Sequence, residues 1–116
     1  MRQVIDRRIV EELLADGRDG GLPVLIRSFG EDGPDHVESV LQGLEDQDLV
    51  RVQRAALSLR GVAGNLGAQG LLQVCERLHA ASRRYEWQEV RELTGELKAR
   101  FEEAFQALER LIGPYG

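Results

Sequence analysis

Residues 57–68 read LSLRGVAGNLGA, and the helix predicted for this stretch sets the interpretation of the whole chain. Apolar side chains recur every three or four residues, which is typical of the buried face of an α-helix. Gly67 stands where a helix-terminating glycine is expected, and Asp48 is suited to cap the start of the same helix. The buried stripe predicted for this central helix comprises Val52, Ala55, Ala56, Leu59, Val62, Ala63 and Leu66.

The segment before the central helix also has helical periodicity. Residues 5–14 predict a short first helix that Gly17 ends, and residues 22–29 form a second apolar segment. Glycine and proline interrupt helices, so a break is predicted after that segment, at Gly30, Gly33 and Pro34. Pro34 then lies in the first turn of the next helix, where proline is tolerated.

Two more helices are predicted after Gly67. The first carries apolar side chains at Leu71, Val74, Cys75, Leu78, Ala81 and Tyr85. The second carries Val90, Leu93, Leu97, Phe101, Phe105, Leu108 and Ile112 and ends at Gly113. Short connections between long amphipathic helices indicate antiparallel neighbours. The predicted fold is therefore all-α, an up-down antiparallel four-helix bundle with additional short N-terminal helices, formed as a single domain by residues 1–116.

Composition limits the classes of partner and site. The net charge of −5 argues against a nucleic-acid-binding protein, which would carry a basic patch, and against an anionic membrane surface. One cysteine and two histidines are too few for a zinc cluster, so no metal or cofactor is expected. The first residues contain no apolar stretch of signal-peptide length and no segment matches a membrane span, so a cytoplasmic location is expected.

The outer face of the central helix is the candidate binding surface. Leu59 lies about 200° from Leu57 around a helix, so Leu57 points outward if Leu59 is in the core. A glycine inside a helix costs roughly 1 kcal/mol relative to alanine, and core packing does not explain two glycines on an exposed face. A bare helix surface allows another protein to approach closely. The predicted partner-binding residues are Gln53, Arg54, Leu57, Arg60, Gly61 and Gly64.

The stretch resembles the motif of the histidine-containing phosphotransfer (HPt) domain family, whose common form is His-x-Leu-Lys-Gly-Ser-x-x-Leu-Gly-Ala. The residues that match it are Leu59, Gly61, Leu66, Gly67 and Ala68, and Arg60 stands for the lysine. Val62 replaces the usual serine, and Leu57 replaces the phospho-accepting histidine. The resemblance extends over roughly residues 5–112, and it implies a degenerate family member without the reactive histidine.

The resemblance also implies a function without phosphoryl transfer at position 57. In the family, a neutral imidazole accepts the phosphoryl group through a ring-nitrogen lone pair, and leucine has none. We therefore expect no enzymatic activity. The expected function is that of a binding module that docks a receiver domain or a histidine kinase and modulates it. The expected oligomeric state stays open.

The sequence leaves three alternatives to a non-catalytic binding module. His79, in the helix after Gly67, is an alternative phospho-acceptor, although a half-exposed histidine between helices is the simpler interpretation. His36 is interpreted as solvated surface in a first helical turn. A structural bundle that self-associates through Phe101 and Phe105 is the second alternative. The third is a single substitution introduced at position 57, but the departures at Arg60 and Val62 favour natural divergence.

Overall fold

The computed structural model describes residues 4–16 and 21–112. All secondary structure in these two ranges is helical, which confirms the predicted all-α class. The helices are α1 (Arg7–Asp16), α2 (Gly21–Glu45), α3 (Leu49–Leu66), α4 (Gln69–Arg83) and α5 (Trp87–Ile112). The residues predicted to end the first and last helices, Gly17 and Gly113, lie outside the described residues.

Helices α2 to α5 form the bundle in chain order, with α3 packed between α2 and α4, and α5 packed between α4 and α2. The short connections make α3, α4 and α5 each antiparallel to the helix before it. Helix α1 packs on α2 and α3. The core contains the predicted stripe of α3 and the central positions of α4 and α5. Val62, which is predicted as part of the stripe, is only partly buried.

Both ends of α3 have the predicted caps. The Asp48 carboxylate accepts a hydrogen bond from the backbone N–H of Arg51 at 3.1 Å, which satisfies one of the free donors at the helix start. At the other end, Gly67 adopts a left-handed backbone with φ 71°. Its own N–H and that of Ala68 bond to the last carbonyl groups of α3, so the chain reverses directly into α4.

The predicted break at residues 30–34 is wrong. Helix α2 runs without interruption from Gly21 to Glu45 and contains Pro34. The two glycines make room for α5, because a Cβ at Gly30 would come within 2.5 Å of the Phe105 ring and one at Gly33 would overlap the ring of Phe101. Packing against α5 therefore maintains a helix that local propensity alone would end.

Two further details of the prediction need correction. Among the described residues there is one short N-terminal helix, α1, because the apolar segment of residues 22–29 is the first part of α2. Tyr85 does not continue the buried stripe of α4. It lies beyond the helix end with a left-handed backbone, φ 59°, and its side chain is 73% exposed. The chain must reverse at this residue, which takes its side chain away from the core.

We predict that Gly67→Ala lowers the free energy of unfolding by about 1–2 kcal/mol, because an L-residue is strained in the left-handed region. The new Cβ would also lie 3.0 Å from the backbone oxygen of Asp6. The matched control is Gly95→Ala, in α5, where a Cβ would meet nothing within 4 Å. In that control the free energy of unfolding should rise by roughly 0.5–1 kcal/mol, because alanine is favoured over glycine inside a helix. Urea unfolding measures both, and equal stabilities of the two variants would contradict the assigned role of Gly67.

Candidate functional site

The exposed side of α3 carries the residues predicted to bind a partner, and we call Gln53, Arg54, Leu57, Arg60, Gly61 and Gly64 the docking face. Leu57 is 47% exposed although it is a large apolar side chain. Gly61 is exposed, and a Cβ added there would touch nothing. The helix surface one turn beyond Leu57 is therefore bare, as the sequence predicts.

The edge of the docking face that borders α4 is more enclosed. The amide nitrogen of Gln53 donates a hydrogen bond to the backbone oxygen of Ser82 at 3.5 Å, so this half-buried side chain also links α3 to α4. Gly64 is half-buried, and a Cβ there would lie 3.9 Å from a methyl group of Leu72. The most accessible part of the docking face is therefore formed by the other four residues.

All the charged side chains of helix α3 are positive. It carries Arg51, Arg54 and Arg60 and no acidic residue, within a chain of net charge −5. Arg51 is held by Ser39, whose hydroxyl oxygen accepts a hydrogen bond from the guanidinium Nε at 3.1 Å. Among the described residues, no ion pair engages Arg54 or Arg60. These two cations flank Leu57 and are available to an acidic partner.

A groove between α2 and α3 adjoins the docking face and is not predicted from the sequence. A cavity of about 190 Å³ in this groove is lined by Leu25, Phe29, His36, Leu59, Val62 and Asn65, among others. A second cavity of about 390 Å³ borders His36 and Arg54. The groove could have been found from the sequence only by recognising that α2 continues through Pro34, because that continuity aligns residues 25–36 along α3.

The structure changes the interpretation of His36 more than that of His79. His36 lies in the middle of α2 and is half-buried, so its prediction as solvated surface in a first helical turn is wrong. His79 is half-buried on α4, as predicted, and its backbone oxygen accepts a hydrogen bond from the Ser82 hydroxyl at 2.9 Å. Neither histidine occupies the docking face.

Cys75 is a core residue, as predicted. Its side chain is completely buried, and burial together with the neighbouring Glu76 carboxylate raises the pKa of the thiol from 9.0 to about 12. A thiol of this kind stays protonated at neutral pH, and only the thiolate is a nucleophile. Cys75 therefore stabilises the packing of α4 and does not provide a reactive group.

The described residues contain no group of three or more histidine, cysteine or acidic side chains arranged to hold a metal ion. Within the same ranges, every helix is too short or too polar to cross a membrane.

The family model for the Hpt domain matches residues 24–111. The chain belongs to the Hpt domain family. This match includes all of α3 and α4 and most of α2 and α5, so the four-helix bundle is the Hpt domain. Hpt domains act with histidine kinases and response regulators in phosphorelays, which makes this a protein of two-component signalling.

The structure is also similar to the crystal structure of histidine-containing phosphotransfer protein B (HptB) from Pseudomonas aeruginosa PAO1. The TM-score is 0.86, the sequences are 24% identical, and the match covers 100% of each chain. At this identity the likeness establishes the fold alone. Among curated protein sequences, no relative matches this chain.

We predict that Cys75 in the native Hpt domain reacts at pH 8 at least about tenfold more slowly with a disulfide reagent than an exposed thiol, because burial excludes the reagent and raises the pKa of the thiol to about 12, which leaves little thiolate. The absorbance of the thiolate that the reagent releases measures the rate. Unfolding in urea exposes Cys75 and should make its rate equal to that of the exposed thiol. The matched control is the exposed position Gln73→Cys in a Cys75→Ala background. Equal native rates for the two thiols would contradict the assignment of Cys75 to the core.

Proposed function

We propose that this Hpt domain is a non-catalytic binding module that docks a receiver domain or a histidine kinase through the docking face and modulates its partner. The observation that carries the proposal is Leu57, which stands at the motif position of the phospho-accepting histidine and exposes 47% of its surface there. The same helix supplies features that suit docking, because Gly61 is exposed and no ion pair among the described residues engages Arg54 or Arg60.

The chemistry at position 57 excludes phosphoryl transfer through that side chain. Acceptance of a phosphoryl group requires a lone pair on the attacking atom, and a leucine side chain has only carbon and hydrogen. Electrostatic attraction survives the replacement, because charge neutralisation and positioning do not depend on the nucleophile. Arg54 and Arg60 therefore attract an acidic surface without any phosphoryl group being moved.

Leucine at this position also contributes to affinity. Complete burial of a leucine side chain stabilises a complex by about 1.5–3 kcal/mol. An apolar side chain at the centre of an interface with charged groups around it is the usual arrangement of strongly contributing contacts. Leu57 with Arg54 and Arg60 has this arrangement. The module would thus compete with active phosphotransfer proteins for the same partner or hold that partner in one state.

We predict that Leu57→Glu weakens binding of the partner receiver or kinase roughly tenfold to a hundredfold, because it removes a buried leucine and repels an acidic partner. The affinity is measured by calorimetry against receivers and kinases from the same cell. The matched control is Leu14→Glu on α1, where the leucine is 51% exposed on a helix that contributes no residue to the docking face. That control should bind as the unchanged protein does. Unaltered binding of Leu57→Glu, or binding to no receiver or kinase at all, would reject the proposal.

We also predict that Leu57→His acquires acid-labile phosphate from the phosphorylated receiver, whereas the unchanged protein acquires none. The imidazole restores the lone pair, and an intact docking face would position it for the partner. Radiolabel transfer followed by acid treatment measures the gain. Label on the unchanged protein that is lost in a His79→Ala variant would instead favour an active phosphotransferase. A Leu57→His variant that docks but takes no label would mean that the surface no longer aligns the two reacting groups.

A further inference from the structure

The two sides of the bundle differ in charge. Helices α3 and α4 together carry five arginines and one glutamate. Helices α2 and α5 together carry eleven acidic and five basic side chains. Because α3 packs beside α4 and α2 packs beside α5, these helices form a basic side and an acidic side of one molecule. The docking face accounts for the basic side only.

The acidic side has an apolar seam where α2 meets α5. One cleft of about 410 Å³ has an apolar lining formed by Pro23, Ile26 and Phe105. A second cleft of about 230 Å³ lies further along the seam and includes Val37 and Phe101. The two rings are stacked, with centroids 6.2 Å apart and an interplanar angle of 4°, so the clefts share one aromatic floor. Phe105 remains half-buried and is accessible from the first cleft.

Acidic side chains border both clefts. Glu31 and Glu109 line the first cleft, and Glu38 and Glu102 line the second. All four are exposed, and no ion pair among the described residues engages any of them. One basic residue lies in each cleft, Arg27 in the first and Lys98 in the second, so acidic groups outnumber basic ones in both.

The spacing of the clefts matches a helix. Ile26 and Val37, one in each cleft, lie about 16 Å apart along the axis of α2 at a rise of 1.5 Å per residue. This corresponds to about three turns of a helix laid along the seam, with apolar side chains on one face at i, i+3, i+4 and i+7 spacing. Lysine and arginine on the flanks of such a helix would meet the four glutamates.

We propose that the α2–α5 seam is a second protein-binding site, which takes a basic amphipathic helix from another protein. The charge of the seam favours this occupant over an acidic segment and over an anionic membrane surface, both of which the glutamates would repel. The site lies on the side of the bundle opposite in charge to the docking face and goes beyond the proposed function. A module with both sites would join an acidic partner to a basic one.

The test uses a synthetic helical peptide of about 18 residues, long enough to span both clefts, with leucines at i, i+4, i+7 and i+11, lysines on the flanks of that face, and alanine and glutamine elsewhere. A peptide of the same composition in shuffled order serves as the reference. We expect the ordered peptide to bind at least tenfold more tightly in calorimetry and to shift backbone amide resonances along the seam. Equal affinity of the two peptides, no binding, or shifts confined to α3 and α4 would overturn the proposal.

Matched charge variants separate this site from general attraction between opposite charges. The double variant Glu102→Lys with Glu109→Lys should weaken binding of the ordered peptide at least tenfold. The control, Glu76→Lys with Glu92→Lys, changes the net charge equally at exposed positions outside the clefts, and its affinity should change less than threefold. Equal losses in the two variants would overturn the proposal. So would a concentration-dependent dimer that shifts the same seam amides without peptide, because a second copy would then be the occupant.

Discussion

The arrangement of the docking face depends on the hydrogen-bonded turn at Gly67, where the backbone is left-handed and α3 ends. The Ala68 N–H bonds to the Ala63 carbonyl oxygen at 2.8 Å, which ends α3 and directs the chain into α4. The N–H of Asp6 bonds to the carbonyl oxygen of Gly67 at 2.7 Å, so the segment before α1 is attached to the same corner. A side chain at Gly67 would crowd this junction. One glycine thus joins three segments and fixes which side of α3 faces α4.

Once α3 is fixed between α2 and α4, the side chains that it leaves at the surface are also fixed. Leu59 and Ala63 are fully buried, so the side chains roughly half a turn away cannot reach the core. Leu57 and Gly61 therefore remain at the surface with Arg54 and Arg60 beside them. The unfavourable exposure of a leucine and the low helix propensity of glycine are explained if this surface binds another protein. The proposed binding function rests on the exposed leucine, the bare glycine and the two arginines together. Because position 57 has no imidazole, the proposal does not include phosphoryl transfer.

The sequence predicted features whose cause is local. The sequence predicts the Asp48 cap, the Gly67 corner and the stripe of α3 apart from the partly buried Val62, since each depends on residues within a few positions along one helix. The break at Pro34 was predicted incorrectly because the reason for Gly30 and Gly33 lies in α5, where Phe105 and Phe101 require the space. No local rule connects these residues.

The errors at other positions have the same origin. The sequence predicts a solvated His36 only because it predicts that a helix starts beside this residue. Once α2 is continuous, this histidine lies in the groove against α3. Tyr85 has the spacing of a buried residue, but the chain reverses there and exposes it. Periodicity identifies the face on which a side chain would lie if the helix continued, and it does not by itself establish where the helix ends.

By itself, the sequence determined the helical class, the resemblance to the Hpt family and the outward direction of Leu57, because helix geometry fixes the angle between Leu57 and Leu59. Only the tertiary structure decided that α2 passes through Pro34, that α2 and α3 form a groove, and that the acidic helices meet at an apolar seam. These features depend on which helices become neighbours, and that choice is made by burial of side chains distant in the chain.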